Sequence, residues 1–176
     1  NGRLSNIASD GFIDRASSSM FGYFFNGNYV TETTLIKALA FGGKEKTYQS
    51  WNGLEDPEKL KNDRTFNSAG MYFDENGNIK FYDDETDNYW QNHFQLHWSE
   101  KWSEKWISNA ALHYTIGKGY FEQYREDESL VDYFLPNFEG NTESDLVRKR
   151  WLDSDFFGIT FSLNYKTKNT DVLLGG

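Results

Sequence analysis

The residues best suited to chemistry in this chain are its three histidines, His93, His97 and His113. Imidazoles held close together can bind a transition metal or exchange protons near neutral pH. His93 and His97 have the i, i+4 spacing of a zinc helix motif, but no Glu follows His93 and the surrounding pattern is that of a strand. A hairpin turn centred near Ser103 sets His93 directly across from His113. The plainer reading is that all three are polar residues on the wet side of a sheet, and no metal ligand is assigned. Asp74-Glu75-Asn76-Gly77-Asn78 has the look of a calcium loop, but its Gly stands fourth and not sixth. Asn-Gly between short apolar runs reads better as a hairpin turn. Gly117-Lys118-Gly119 opens like a glycine-rich phosphate loop and never completes it. Inside a strand, such glycines leave room or permit a bend. Adjacent acids such as Asp83-Asp84 lie in loops, whereas acid–base catalysis needs carboxylates at fixed separation on rigid elements. The expectation is therefore a protein that is not an enzyme, with no catalytic residue and no cofactor.

The histidines sit in a stretch, residues 89–121, whose side chains alternate. Trp90, Phe94, Leu96 and Trp98 share one parity, and Gln91, His93, Gln95, His97 and Ser99 the other. After a break, Ala110, Leu112, Tyr114, Ile116 and Tyr120 share one side, and Asn109, His113, Thr115, Gly117 and Gly119 the other. A period of two over such a length predicts a long β-hairpin. Strands in soluble domains average about five or six residues. A strand crossing a bilayer within a barrel needs roughly nine to eleven. Long strands with one apolar, aromatic face and one polar face suit a barrel with lipid outside and water inside. A soluble sheet packed on a core alternates in the same way and is the rival reading.

Composition narrows the choice. The chain has 176 residues and a net charge of −9, from 18 basic and 27 acidic residues, so no basic surface is available for nucleic acid. It has no Cys, which rules out disulfides and thiolate metal sites. Aromatic residues make up 18% against only 38% hydrophobic overall, a pairing expected where rings line two membrane interfaces around a polar interior. No run approaches the roughly 18 apolar residues of a membrane helix. The opening Asn1-Gly2-Arg3 has neither a starting Met nor an apolar leader, which reads as a piece of a larger protein.

In chain order, strands are expected at 3–9, 20–29, 33–47, 89–121 as a hairpin, 151–166 and from 170 onward. In the second of these, Phe21, Tyr23, Phe25 and Tyr29 share a parity. In the third, Leu35, Leu39 and Phe41 oppose Ile36, Ala38 and Ala40, and Lys37 among the first set leaves the facing open. In the fifth, Phe157, Ile159, Phe161, Leu163 and Tyr165 line one face. Asp56-Pro57-Glu58 predicts a short helix near 59–63. Two long acidic excursions fill 48–88 and 122–150. Short breaks near 30–32, 102–105 and 167–169 alternate with connections at 10–15, 48–88 and 122–150. Up-and-down strands gather all short turns at one end and all long loops at the other, as outer-membrane barrels do.

The same residues resemble a family. Ile13-Asp14-Arg15-Ala16, Phe41-Gly42-Gly43-Lys44-Glu45-Lys46-Thr47-Tyr48 with Trp51-Asn52-Gly53, and Asp87-Asn88-Tyr89-Trp90-Gln91-Asn92-His93-Phe94-Gln95-Leu96 are similar to the barrel of TonB-dependent receptors of the Bacteroidetes type. So are His113-Tyr114-Thr115 with Gly117-Lys118-Gly119-Tyr120, and Arg150-Trp151-Leu152-Asp153-Ser154-Asp155-Phe156-Phe157-Gly158. The likeness spans nearly the whole chain and respects order and spacing. It implies a barrel of about 22 strands in the outer membrane of a Gram-negative bacterium, closed by an N-terminal plug. Such a receptor takes up a scarce ligand with energy passed from TonB. The plug and TonB contacts belong to parts of such a parent that this chain does not contain.

The expected fold is all-β: an antiparallel up-and-down meander of about seven long strands, one segment (1–176) of a larger transmembrane β-barrel with long extracellular loops. The expected partners are outer-membrane lipid, the parent's own plug, TonB through the missing N-terminal part, and an unknown small ligand (siderophore, cobalamin, glycan or peptide). Only the loops at 48–88 and 122–150 can contribute ligand contacts. Trp98, Trp102 and Trp106 with Lys101 and Lys105 suit a periplasmic interface, and Arg148-Lys149-Arg150 beside Trp151 suits lipid head groups. The rival from another class is a soluble aromatic-rich β-sandwich that binds carbohydrate by stacking, which requires short strands in Greek-key order.

Overall fold

The computed structural model describes residues 1–176. Seven strands form one antiparallel sheet in which every neighbour in space is the next long strand in sequence. They are β1 (Gly2–Ser9), β2 (Ser18–Val30), β3 (Thr34–Tyr48), β6 (Thr86–Lys101), β7 (Trp106–Ser129), β8 (Glu143–Lys166) and β9 (Asp171–Gly175). A separate two-stranded ribbon, β4 (Met71–Phe73) with β5 (Ile79–Phe81), lies inside the longest loop. The sheet is open, because β1 and β9 do not pair with each other. The expected all-β meander is the observed fold.

Residues opposite one another in an antiparallel pair project to the same side. The register therefore defines the faces. Phe25, Ala40, Phe94, Tyr114 and Phe157 form one continuous row across β2, β3, β6, β7 and β8. The next two rows on that side are Gly27–Ala38–Leu96–Leu112–Ile159 and Tyr29–Ile36–Trp98–Ala110–Phe161. This is the apolar face. The opposite face carries Asn26–Leu39–Gln95–His113–Gly158 and Asn28–Lys37–His97–Ala111–Thr160. Register also resolves β3: Leu35, Leu39 and Phe41 join the polar face with Lys37, while Ile36, Ala38 and Ala40 join the apolar one. Hollows of about 530, 440 and 390 Å³ on the sheet are lined mainly from the polar side.

The sheet has no core. Ten residues are buried in the whole chain, and none belongs to the apolar rows. Phe157 is 80% exposed and Ile159 65%. The few buried side chains cluster at one end, around Tyr48, Gln49, Asn67, Ala69, Glu85 and Glu122. Turns and loops sort by length as expected. Residues 31–33, 102–105 and 167–170 connect strands at one end, and 10–17, 49–85 and 130–142 connect them at the other.

One boundary differs from the expectation. The second excursion does not fill 122–150: β7 and β8 stay paired up to Ser129 and Glu143, so its loop is only 130–142. The apolar-alternation signal stops near Tyr120 because both faces of this extension bear charged and polar side chains. Backbone pairing continues regardless, with one irregularity between Arg125 and Glu128 where Asp127 takes φ 50°. The short helix forms as expected, as α1 (Pro57–Asn62), with Asp56 capping the Glu58 amide.

Candidate functional site

The loop end is where side chains are held in place. The connection at 10–17 anchors the long loop at 49–85. Asp14 N–H donates to Thr65 O at 2.8 Å, and the Arg15 guanidinium donates to Asn67 O and lies 3.5 Å from the centre of the Phe81 ring. Arg15 adopts φ 62°, an uncommon conformation for a residue with a side chain, and these contacts hold it there. Buried Asn67 is the hub. Its Nδ2 donates to Asp14 O (3.1 Å) and Gln49 O (2.8 Å), and its Oδ1 accepts from Ala69 N–H (3.0 Å). The Tyr48 hydroxyl lies 2.8 Å from Tyr82 O and 3.1 Å from Ala69 O.

The return of the loop is fastened to the β7 extension through two buried carboxylates. Glu85 accepts from Tyr124 N–H at 2.9 Å, and burial raises its carboxyl pKa above the ordinary range. Glu122 accepts from the Tyr82 hydroxyl at 2.7 Å and sits 3.3 Å from Lys149 Nζ. Burial, then Glu122, pushes the Tyr82 phenol upward. Tyr124, hydrogen-bonded to Asp145 at 2.5 Å, is pushed up to about 12. The rings of Tyr72 and Tyr82 pack on Tyr124 at 4.6 and 5.9 Å. This is a cap with its own polar core, set on the end of the sheet.

Beside the cap, on the polar face, three side chains from distant parts of the chain meet. Trp51, 61% exposed, stands edge-on to Phe121 at 6.3 Å, and the Arg150 guanidinium lies 5.3 Å from the same ring. Phe121 and Arg150 are register partners. Next to them Arg148 is occupied, donating to Gln123 at 2.7 Å and to the Tyr133 hydroxyl at 3.3 Å. An exposed indole, a phenyl ring and a guanidinium on one rim can hold a ligand that has a flat or ring-shaped face and a negative group. In the sequence Trp51 and Arg150 stand in separate motifs and Phe121 only ends an alternating stretch; nothing joins the three, because the register that does so is long-range.

The three histidines do not meet as expected. The turn is centred one residue beyond Ser103, since Lys101 pairs with Ile107, so His93 faces Thr115 and His113 faces Gln95. His93 is engaged by Thr115 Oγ1 at 2.8 Å and Gln91 Oε1 at 3.1 Å, and lies stacked on Phe41 at 4.6 Å. His97 meets Gln95 Oε1 at 3.2 Å, and His113 packs on Phe156 at 5.0 Å. No three His, Asp or Glu side chains gather in a metal-binding group. The Asp74 turn is a hairpin turn: Asp74 Oδ1 accepts from Asn76 and Asn78 N–H at 3.0 and 2.8 Å, which holds its carboxyl below the usual range, and Gly77 takes φ 77°. Counted from Asp74, the twelfth residue is Glu85, where a calcium loop has its bidentate carboxylate; here Glu85 is turned away into the cap.

Gly117 and Gly119 have a clear role. The Tyr89 side chain reaches both, and a Cβ would meet its hydroxyl at 2.3 Å from Gly117 and its ring at 2.6 Å from Gly119. Gly158 accommodates His113 in the same manner, with a Cβ 2.4 Å from the ring. The run Arg148-Lys149-Arg150 is divided by strand alternation. Only Lys149 projects to the apolar side, while Arg148 and Arg150 face the polar side beside Gln123 and Phe121. As a block, the run cannot meet lipid head groups.

No family profile, characterised protein or solved structure matches this chain.

Proposed function

We propose that this chain is a stretch of the wall of an outer-membrane β-barrel receptor of the TonB-dependent kind, which takes up a scarce small ligand. One observation carries the reading: three consecutive rows of apolar side chains cover one face of a seven-stranded sheet, and nothing covers them. The height of the band fits a bilayer. On β8 its apolar side chains run from Phe157 to Tyr165, eight steps of roughly 3.3 Å each. At the ~40° tilt of barrel strands this is about 20 Å, close to the ~25 Å lipid-facing band of such barrels.

The reading gives each part a role. The paired strands satisfy their own backbone polar groups, as any element in hydrocarbon must. The polar face wets the interior, where the parent's plug would sit. The cap and the rim of Trp51, Phe121 and Arg150 stand at the outer mouth and contribute to capture of the ligand. Chemistry is not part of the role; the chain builds a passage. Free edges at β1 and β9 are continued by the parent's remaining strands, since an exposed edge otherwise pairs indiscriminately. The soluble carbohydrate-binding sandwich is disfavoured because it needs a second sheet over the apolar face, and the only other sheet is the ribbon of β4 and β5 inside the loop.

Flotation tests the proposal. The chain refolded in the presence of phosphatidylcholine vesicles should float with them and protect residues 86–121 and 143–166 from protease. A stable, monodisperse monomer in plain buffer, with no vesicle association, would refute it.

A further inference from the structure

The apolar face ends, on the loop side, in rows of a different composition. After a mixed row, Tyr23–Gly42–Asn92–Ile116–Asp155, come Phe21–Lys44–Trp90–Lys118–Asp153 and then Ser19–Lys46–Asn88–Tyr120–Trp151. Beyond them Lys149 pairs with Glu122 on the same side. Lys44, Lys46, Lys118 and Lys149 are all the basic residues that the seven strands carry on this face; from there to the short turns the face has none. In a chain with a net charge of −9, four cations confined to one edge of an apolar band form a pattern.

Two of the lysines lie against rings, and all four remain accessible. Lys118 Nζ lies 5.6 Å from the Trp151 ring centre and 2.9 Å from Asp153. Lys149 lies 4.8 Å from the Tyr120 ring and 3.3 Å from Glu122. Lys46 lies 2.9 Å from Asp84, and Lys44 has no carboxylate partner. The side chains of Lys46, Lys118 and Lys149 keep 50, 46 and 44% of their exposure. Trp90, Tyr120 and Trp151 are residue types that settle where hydrocarbon meets head groups.

We infer that this lysine–aromatic belt binds the phosphate-bearing head groups of membrane lipid, whose acyl chains lie on the apolar rows beneath. The inference rests on the membrane-wall reading given above. The argument is one of position and charge together. The ammonium groups stand two to four rows beyond the last wholly apolar row, on the side where a lipid of that leaflet places its phosphate. Their carboxylate partners, Asp84 of the loop, Glu122 of β7 and Asp153 of β8, orient the lysines without covering them. A soluble protein partner would have no reason to meet cations only along the border of an uncovered apolar band.

The test compares the chain with the variant Lys44→Gln/Lys118→Gln/Lys149→Gln by flotation, using pure phosphatidylcholine vesicles and vesicles that also carry phosphatidylglycerol, at low salt. The chain should prefer the anionic vesicles, and the variant should lose about fivefold of that preference per lysine removed. Lys59→Gln/Lys61→Gln on α1 should change nothing. The corresponding triple Lys→Arg variant should keep the preference, which separates loss of charge from misfolding. Inorganic phosphate added as competitor should not displace the chain. Equal preference in the Gln variant, or full displacement by inorganic phosphate, would overturn the inference and leave the wall reading intact. Failure to float with either kind of vesicle would overturn both.

Discussion

The sheet and the cap are opposite solutions to the same problem of satisfying polar groups. Of the 106 backbone–backbone hydrogen bonds, 81 lie within helices and strands, and the wall is built almost wholly from that ladder. Its side chains look outward and pack on little: Phe94 is 44% and Leu112 48% exposed. The cap has scarcely any regular structure, yet it contains most of the buried residues, and many of them are polar: Gln49, Asn67, Glu85 and Glu122. There the backbone is satisfied by side chains, such as Asn67 bridging Asp14, Gln49 and Ala69. On the reading proposed above, the difference follows from the surroundings: a cap with a polar core faces water, and a ladder that needs no water and exposes Phe, Leu and Ile faces lipid.

That contrast can be broken most severely on the wall. Ile159→Lys, on the apolar face, should cost about 2–4 kcal/mol in a bilayer, whereas Thr160→Lys, one residue on and facing the polar side, should cost far less. Denaturant unfolding from vesicles, comparing the two variants, checks this; equal costs would mean that the faces have been assigned wrongly. Next in size is the seat of Tyr89. Gly119→Val forces a Cβ to within 2.6 Å of that ring and 2.2 Å of Asn88 O, at an expected cost of about 1–3 kcal/mol. Adding Tyr89→Ala should recover only part of the loss, because the backbone clash stays; a double-mutant cycle reads the coupling.

The cap should respond on its own. Asn67→Ala leaves buried partners without their bonds and should loosen residues 49–85 by about 1–3 kcal/mol, seen as faster amide exchange there with exchange in β6 and β7 unchanged. If β6 and β7 loosen equally, cap and wall are one cooperative unit. The smallest effect is that of Glu85. Burial raises its folded pKa above the unfolded value, so the folded state holds the proton more tightly. Cap stability should therefore fall as pH rises from the ordinary carboxyl range through the raised value, and Glu85→Gln should flatten that slope. Amide exchange at 49–85 followed against pH decides it, and an unchanged slope in the variant would assign the titration to another group.

Several features were legible before any coordinates. Alternation located β2, β6 and the apolar-faced part of β7 and β8; Asp56-Pro57 located α1; Asn76-Gly77 located the small ribbon. The misses share a cause. Residues 122–129 and 143–150 pair as strands without an apolar face to betray them. A one-residue shift in the turn beyond Ser103 moved His113 from His93 to Gln95. The basic run at 148–150 looked like one patch and proved to be two surfaces.

The amino-acid sequence alone settles where this chain alternates and where it turns, because side-chain parity and turn chemistry act between near neighbours. Tertiary structure decides what each parity faces. In β3 both sets are apolar, and only hydrogen bonding to β6 at Lys37–His97 and Ala38–Leu96 tells inner from outer. The meetings of Trp51 with Phe121 and Arg150, and of Glu85 with Tyr124, likewise exist only after strands far apart in sequence have fallen into register. A local period can be read along the chain, but the register between strands is a property of the assembled sheet.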